Sequence, residues 1–122
     1  MTNNNDRSRK EPMIMTAINL NKELFENYVQ DENKAVLVDY WAPWCVYCRR
    51  IAPAYEKIAE QFGDQIHVGK INIDDEQALA MKEQIEVIPT LVLYKGGQVL
   101  GSIVAPESKA AIETFIKETL DL

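Results

Sequence analysis

Cys45 and Cys48 are the only two cysteines in the chain. Their spacing lets the two sulfurs meet, exchange electrons with a disulfide, or share a metal ion. They follow an apolar run, Val36-Leu37-Val38-Asp39-Tyr40-Trp41, and a short break at Ala42-Pro43-Trp44. Beyond them apolar side chains recur at helical spacing through Ile51, Ala54, Ile58 and Phe62, so the pair sits where a strand hands over to a helix. The first turn of a helix leaves backbone N–H groups without partners, and with the aligned peptide dipoles they stabilise a negative charge. A thiolate at Cys45 is such a charge. With its pKa lowered from about 8.5 toward neutrality it becomes a nucleophile toward disulfides, and Cys48, one turn along, can reach back to it.

The metal alternative needs more ligands than the chain supplies in kind. A tetrahedral structural zinc site takes four ligands, usually cysteine or histidine. The chain offers Cys45, Cys48 and one histidine, His67, which stands between Ile66 and Val68 in a strand-like run. Redox chemistry is the favoured reading, with no metal and no organic cofactor; an inert buried thiol is the bland one.

The rest of the chain fits a single domain built around this junction. Its 122 residues, 47% hydrophobic and 26% charged, suffice for one core without covalent staples. Thirteen basic against nineteen acidic residues, a net charge of −6, argue against a nucleic-acid surface. Residues 1–12 are polar and aperiodic and read as a disordered tail ahead of a domain over 13–122, with Met13 or Met15 as alternative starts. That stretch has the apolar core of neither a signal peptide nor a membrane anchor, which points to the cytoplasm.

The periodicities predict a strand over 13–17 and a helix capped by Asn19 or Asn21 that carries Leu24, Phe25, Tyr28 and Val29. A strand over 35–40 follows, apolar on both faces, then a helix over 45–62 with Pro53 inside it and Gly63 at its stop. A second core strand spans 66–73, and Asp74 or Asp75 is expected to cap a helix over 77–84. Strands at 90–94 and 98–104 flank Lys95-Gly96-Gly97, whose glycines supply the positive backbone angles of a tight hairpin. A closing helix over 106–120 has Pro106 in its first turn. This order, β-α-β-α-β-α-β-β-α, predicts an α/β fold with a central mixed sheet and helices on both faces.

Several short motifs, in the right order and at the right separations, resemble the thioredoxin family: Val38-Asp39-Tyr40-Trp41-Ala42-Pro43-Trp44-Cys45 with Cys48, then Ile51-Ala52-Pro53, Lys70-Ile71-Asn72-Ile73-Asp74, Ile88-Pro89-Thr90 and Lys95-Gly96-Gly97. The resemblance implies the thioredoxin fold and reduction of protein disulfides, with Cys45 attacking and Cys48 resolving. It further implies that Asp39 is a buried acid assisting Cys48, that Lys70 accompanies it, and that Pro89 is cis and faces the cysteines. Trp44, Val46, Tyr47, Ile88, Pro89, Val104 and Ala105 are then the docking surface for disulfide-bearing protein substrates. The implied partner is a flavin- and NADPH-dependent reductase, the implied state a monomer, and the implied roles electron transport and cell redox homeostasis.

Two departures stand out. Val46-Tyr47 replaces the family's usual Gly-Pro, and Tyr47 restores an N–H that proline lacks, so a stabler thiolate and a less reducing protein are expected. Ala105 stands where glycine is usual, and its methyl group narrows the approach of a partner backbone. These departures keep two alternatives open: a disulfide isomerase or oxidase-like member of the family, and a redox-inert binding module that uses the same groove.

Overall fold

The computed structural model describes residues 16–122; the expected tail, residues 1–12, lies outside the described residues. Five strands form one sheet in the order β1-β3-β2-β4-β5. They are β1 (Ile18–Asn19), β2 (Val36–Trp41), β3 (His67–Asn72), β4 (Thr90–Lys95) and β5 (Gln98–Val104). β3 runs parallel to both β1 and β2, whereas β4 is antiparallel to β2 and β5, which makes the sheet mixed as expected. Four helices cover it: α1 (Lys22–Val29), α2 (Val46–Phe62), α3 (Gln77–Lys82) and α4 (Lys109–Leu120).

The two-residue alternation of β2 sorts its side chains between two cores. Leu37 points with Leu91, Leu93 and Val68 toward Ile51, Tyr55 and Ile58 of α2 and Ile112 and Ile116 of α4. Val36, Val38 and Tyr40 point the other way, against Phe25 and Val29 of α1 and Leu79 of α3. Asp39 falls on the α2 side, in the middle of a strand with neighbours on both edges. On the opposite side Tyr40 and Tyr94 share a hydroxyl–hydroxyl hydrogen bond of 2.7 Å, and Tyr94 donates onward to Glu83 at 2.9 Å.

Three local expectations are corrected. The strand expected over 13–17 forms at Ile18–Asn19, where pairing with Gly69 and Lys70 of β3 selects the register; residues 13–15 lie outside the described residues. Neither Asp74 nor Asp75 caps α3: its N-cap is Glu76, without a side-chain bond, because Asp74 is turned toward Trp44. The last helix begins at Lys109, after Ser108 Oγ accepts the Ala111 N–H, and Pro106 stays outside it, buried beside Tyr47 and Ile51. Asn21 caps α1 through the Leu24 N–H, and Gly96 and Gly97 adopt positive φ in the hairpin. Pro53 lies inside α2, which continues to Phe62.

Candidate active site

β2 delivers the chain at Trp41 and α2 takes it up at Val46, with Cys45 as the N-cap in extended conformation (φ −86°, ψ 113°). Its sulfur stands where a serine cap would place oxygen and accepts the Cys48 N–H at 3.1 Å. Cys45 and Cys48 are joined as a disulfide, with Cα atoms 5.2 Å apart. Both are buried, Cys45 less so than Cys48 (8% against 3% exposed). The N–H of Tyr47 makes no hydrogen bond to Cys45 Sγ among the described residues. Its influence on a charge at that sulfur therefore runs through the field of the helix end rather than through a direct bond.

Behind the disulfide, Asp39 is 4% exposed, and its Oδ1 has no hydrogen-bond partner among the described residues. Burial pushes its carboxyl up from 3.8 to about 7, with the nearby Lys70 charge pulling in the opposite direction. A cavity of about 70 Å³ opens beside it, walled also by Cys48, Trp41, Tyr55, Glu56 and Lys70. That volume is enough to hold a water molecule in a space that Asp39 and Cys48 both line.

Lys70 is the register partner of Asp39 across β2 and β3. Its ammonium does not pair with Asp39 among the described residues; it lies 3.4 Å from Glu56 Oε2 and 5.6 Å from the Trp41 ring centre. Tyr55, fully buried, donates its hydroxyl toward the carbonyls of Gly69 (2.6 Å) and Leu37 (3.2 Å), tying α2 to both strands.

In front of the disulfide, the Ile88–Pro89 peptide is cis and the Ile88 carbonyl oxygen stands 3.9 Å from Cys45 Sγ. Pro89 is buried; its carbonyl accepts the Ala105 N–H at 2.8 Å, and Thr90 Oγ1 donates to the Val87 carbonyl. Ala105 is thereby held beside the proline with φ at +46°, the left-handed region that favours glycine. Trp44, Val46, Tyr47 and Val104 are each more than half exposed. The Trp44 indole N–H is fixed by the Asp74 carboxylate at 3.1 Å and 3.2 Å.

The candidate catalytic and docking residues are thus gathered at one end of the sheet, whereas His67 lies at the opposite end of β3. Three others were missed: Glu56 at the cavity, Asp74 under Trp44, and Arg49, whose guanidinium donates to the Pro43 carbonyl at 2.8 Å. Glu56 had a usable signal, since Cys48, Ala52 and Glu56 recur every four residues on one stripe of α2. Asp74 had none, because its contact with Trp44 is long-range. His67 pairs with Asp31 at 3.1 Å, and no cluster of three or more His, Cys, Asp or Glu capable of holding a metal occurs among the described residues.

A sequence model of the thioredoxin family matches residues 16–118. Thioredoxin of Streptomyces clavuligerus is 47% identical over 94 residues, covering 77% of this chain and 87% of that protein. Thioredoxin 1 of Synechococcus elongatus is 40% identical over 97 residues, covering 80% and 87%. Among solved structures, a mutant thioredoxin from Halobacterium salinarum superposes with a TM-score of 0.78 at 28% identity, over 92% of this chain and 97% of that one. Thioredoxin of Malassezia sympodialis gives 0.77 at 26%, over 89% and 96%.

Proposed function

The chain belongs to the thioredoxin family and is a thiol-disulfide oxidoreductase that reduces protein disulfides, and from that premise we propose how its residues divide the work. In the reduced protein Cys45 is the thiolate that attacks one sulfur of a substrate disulfide. A mixed disulfide forms, and the other substrate sulfur leaves as a thiolate and takes a proton. Cys48 then gives its proton by way of the cavity to the Asp39 carboxylate and attacks Cys45 Sγ. The second substrate thiolate departs, leaving the Cys45–Cys48 disulfide. Two electrons have passed from the protein to the substrate.

The observation that carries this assignment is the cavity joining Asp39 to Cys48 directly behind the disulfide. A carboxyl whose pKa is about 7 can take and return a proton near neutrality. Lys70 belongs to the same machinery through its charge. Trp44, Val46, Tyr47, Ile88, Pro89, Val104 and Ala105 form the docking surface, on which the Ile88 backbone beside Cys45 receives an extended segment of substrate.

The protein works as a monomer with a single thioredoxin domain, which the family match over 16–118 supports. A flavin- and NADPH-dependent reductase recycles it, in a cytoplasmic role in electron transport and redox homeostasis. What supports that location is its chemistry, since a dithiol that donates electrons needs surroundings that keep thiols reduced. No described helix is long and apolar enough to cross a membrane. Val46-Tyr47 favours a second reading, an isomerising or oxidising poise. A redox-inert binding module gains no support from a cysteine pair already joined as a disulfide.

Reduction of insulin by dithiothreitol tests the assignment. Catalysis is expected from the parent and abolished in Cys45→Ser, while Cys48→Ser accumulates mixed disulfides with substrates. Turnover surviving in Cys45→Ser, or trapping through Cys48 in place of Cys45, would overturn the roles given to the two sulfurs.

A further inference from the structure

We propose that Glu56 is a positioning residue for the resolving step: its carboxylate holds the Lys70 ammonium away from Asp39 and so sets how readily Asp39 takes the Cys48 proton. The inference rests on the role given to Asp39 above. α2 brings Glu56 two turns beyond Cys48 on the same stripe, so both side chains wall one cavity. The carboxylate is anchored at both oxygens. Oε1 accepts the Ala17 N–H at 3.0 Å, and Oε2 lies 3.4 Å from Lys70 Nζ. Lys70 rests over the Trp41 ring, on the strand position registered with Asp39. One ammonium thus stands between two carboxylates and is committed to Glu56, while Asp39 Oδ1 has no partner among the described residues.

The other titratable groups around the cavity are already engaged, and the Trp41 indole N–H, which like Asp39 Oδ1 has no partner among the described residues, carries no charge. From α2, Arg49 is turned to the Pro43 carbonyl, Tyr55 donates to backbone carbonyls, and Cys48 is the proton donor of the reaction. From β4, the register partner of Asp39 is Leu91, which carries no charge. Lys70 is therefore the one cation lining the cavity that a side-chain charge holds, and among the described residues Glu56 supplies that charge. An Asp39 carboxylate whose nearest cation is drawn off to Glu56 is a stronger base than one paired with it. It accepts the Cys48 proton, the Cys48 thiolate displaces the substrate sulfur from Cys45, and no other reactant is involved.

Glu56→Gln keeps an acceptor for Ala17 and loses the charge that holds Lys70. The test follows the Asp39 carboxyl directly by carbon NMR in the full-length protein, alongside the pH dependence of mixed-disulfide resolution. The Asp39 midpoint is expected to fall by about one pH unit, and the acidic limb of the resolving rate to fall with it. Glu56→Asp, which keeps the charge, should restore most of the parent midpoint. In a Lys70→Gln background, Glu56→Gln should move the midpoint by less than about a third as much, since the coupling runs through the missing ammonium. An unchanged midpoint, or equal displacements in both backgrounds, overturns the inference while leaving Asp39 its role. If Asp39→Asn itself resolves at the parent rate, the role of Asp39 falls, and the inference with it.

Discussion

Replacing Asp39 with asparagine should stabilise the oxidised protein, and by an amount that grows with pH. Asp39 is buried at 4% exposure with an unpartnered oxygen, and burial lifts its carboxyl from 3.8 to about 7. Below about pH 4 the group is protonated in folded and unfolded chains alike and carries no linkage. As pH rises, the unfolded chain gives up this proton while the folded chain keeps it until about pH 7, so unfolding releases a proton and stability falls across that window. Above about pH 7 the loss is constant. Each tenfold weakening of the acid on folding costs about 1.4 kcal/mol, so a rise from 3.8 to about 7 amounts to about 4 kcal/mol in full. Asparagine removes the titration but leaves a buried polar side chain, whose own cost of about 1–3 kcal/mol does not vary with pH. The decisive quantity is therefore the change in the difference between variant and parent from about pH 4 to about pH 8, measured by urea unfolding with the disulfide intact. The expected change is roughly 3–4 kcal/mol in favour of the variant. A difference that stays level within about 0.5 kcal/mol across that range would refute the buried-carboxylate reasoning.

Ala105→Gly should raise stability by about 0.5–1 kcal/mol, because φ at +46° strains alanine and suits glycine; a lower melting temperature would contradict it. Exchanging Val46-Tyr47 for Gly-Pro removes the Tyr47 N–H from the helix end facing Cys45 and should make the protein more reducing by roughly 30 mV, about tenfold in its redox equilibrium with glutathione. An unchanged equilibrium would mean that the helix-end field does not tune this pair. Tyr94→Phe strands the buried Tyr40 hydroxyl and removes the hydroxyl bound to Glu83, for an expected loss of about 1–3 kcal/mol. Adding Tyr40→Phe should recover part of that loss in chemical denaturation, and strict additivity of the two losses would argue against a shared network.

Features decided within a few neighbouring residues were legible in the sequence. The apolar run of β2, the helical repeat after Cys45, the glycine pair of the hairpin and the cap at Asn21, one of two candidates, follow from propensities that act locally. The motifs around Cys45, Cys48 and Pro89 carried the family and its chemistry because their residues lie close in sequence or recur at helical spacing. Tertiary packing decided the rest. β1 took its register from β3, Asp74 left its expected cap for the indole of Trp44, and α4 waited for Ser108 because Pro106 is buried against α2. Asp39 could be marked as a carboxylate in an apolar strand from sequence. Its lack of a partner, however, depends on where Lys70 goes, and Lys70 goes to Glu56, fourteen residues away on another element. The strength of an acid in a protein interior is set by the charges and dipoles around it and by the water it has lost. No sequence spacing specifies that environment; it exists only once α2 lies on the strands that hold Asp39 and Lys70.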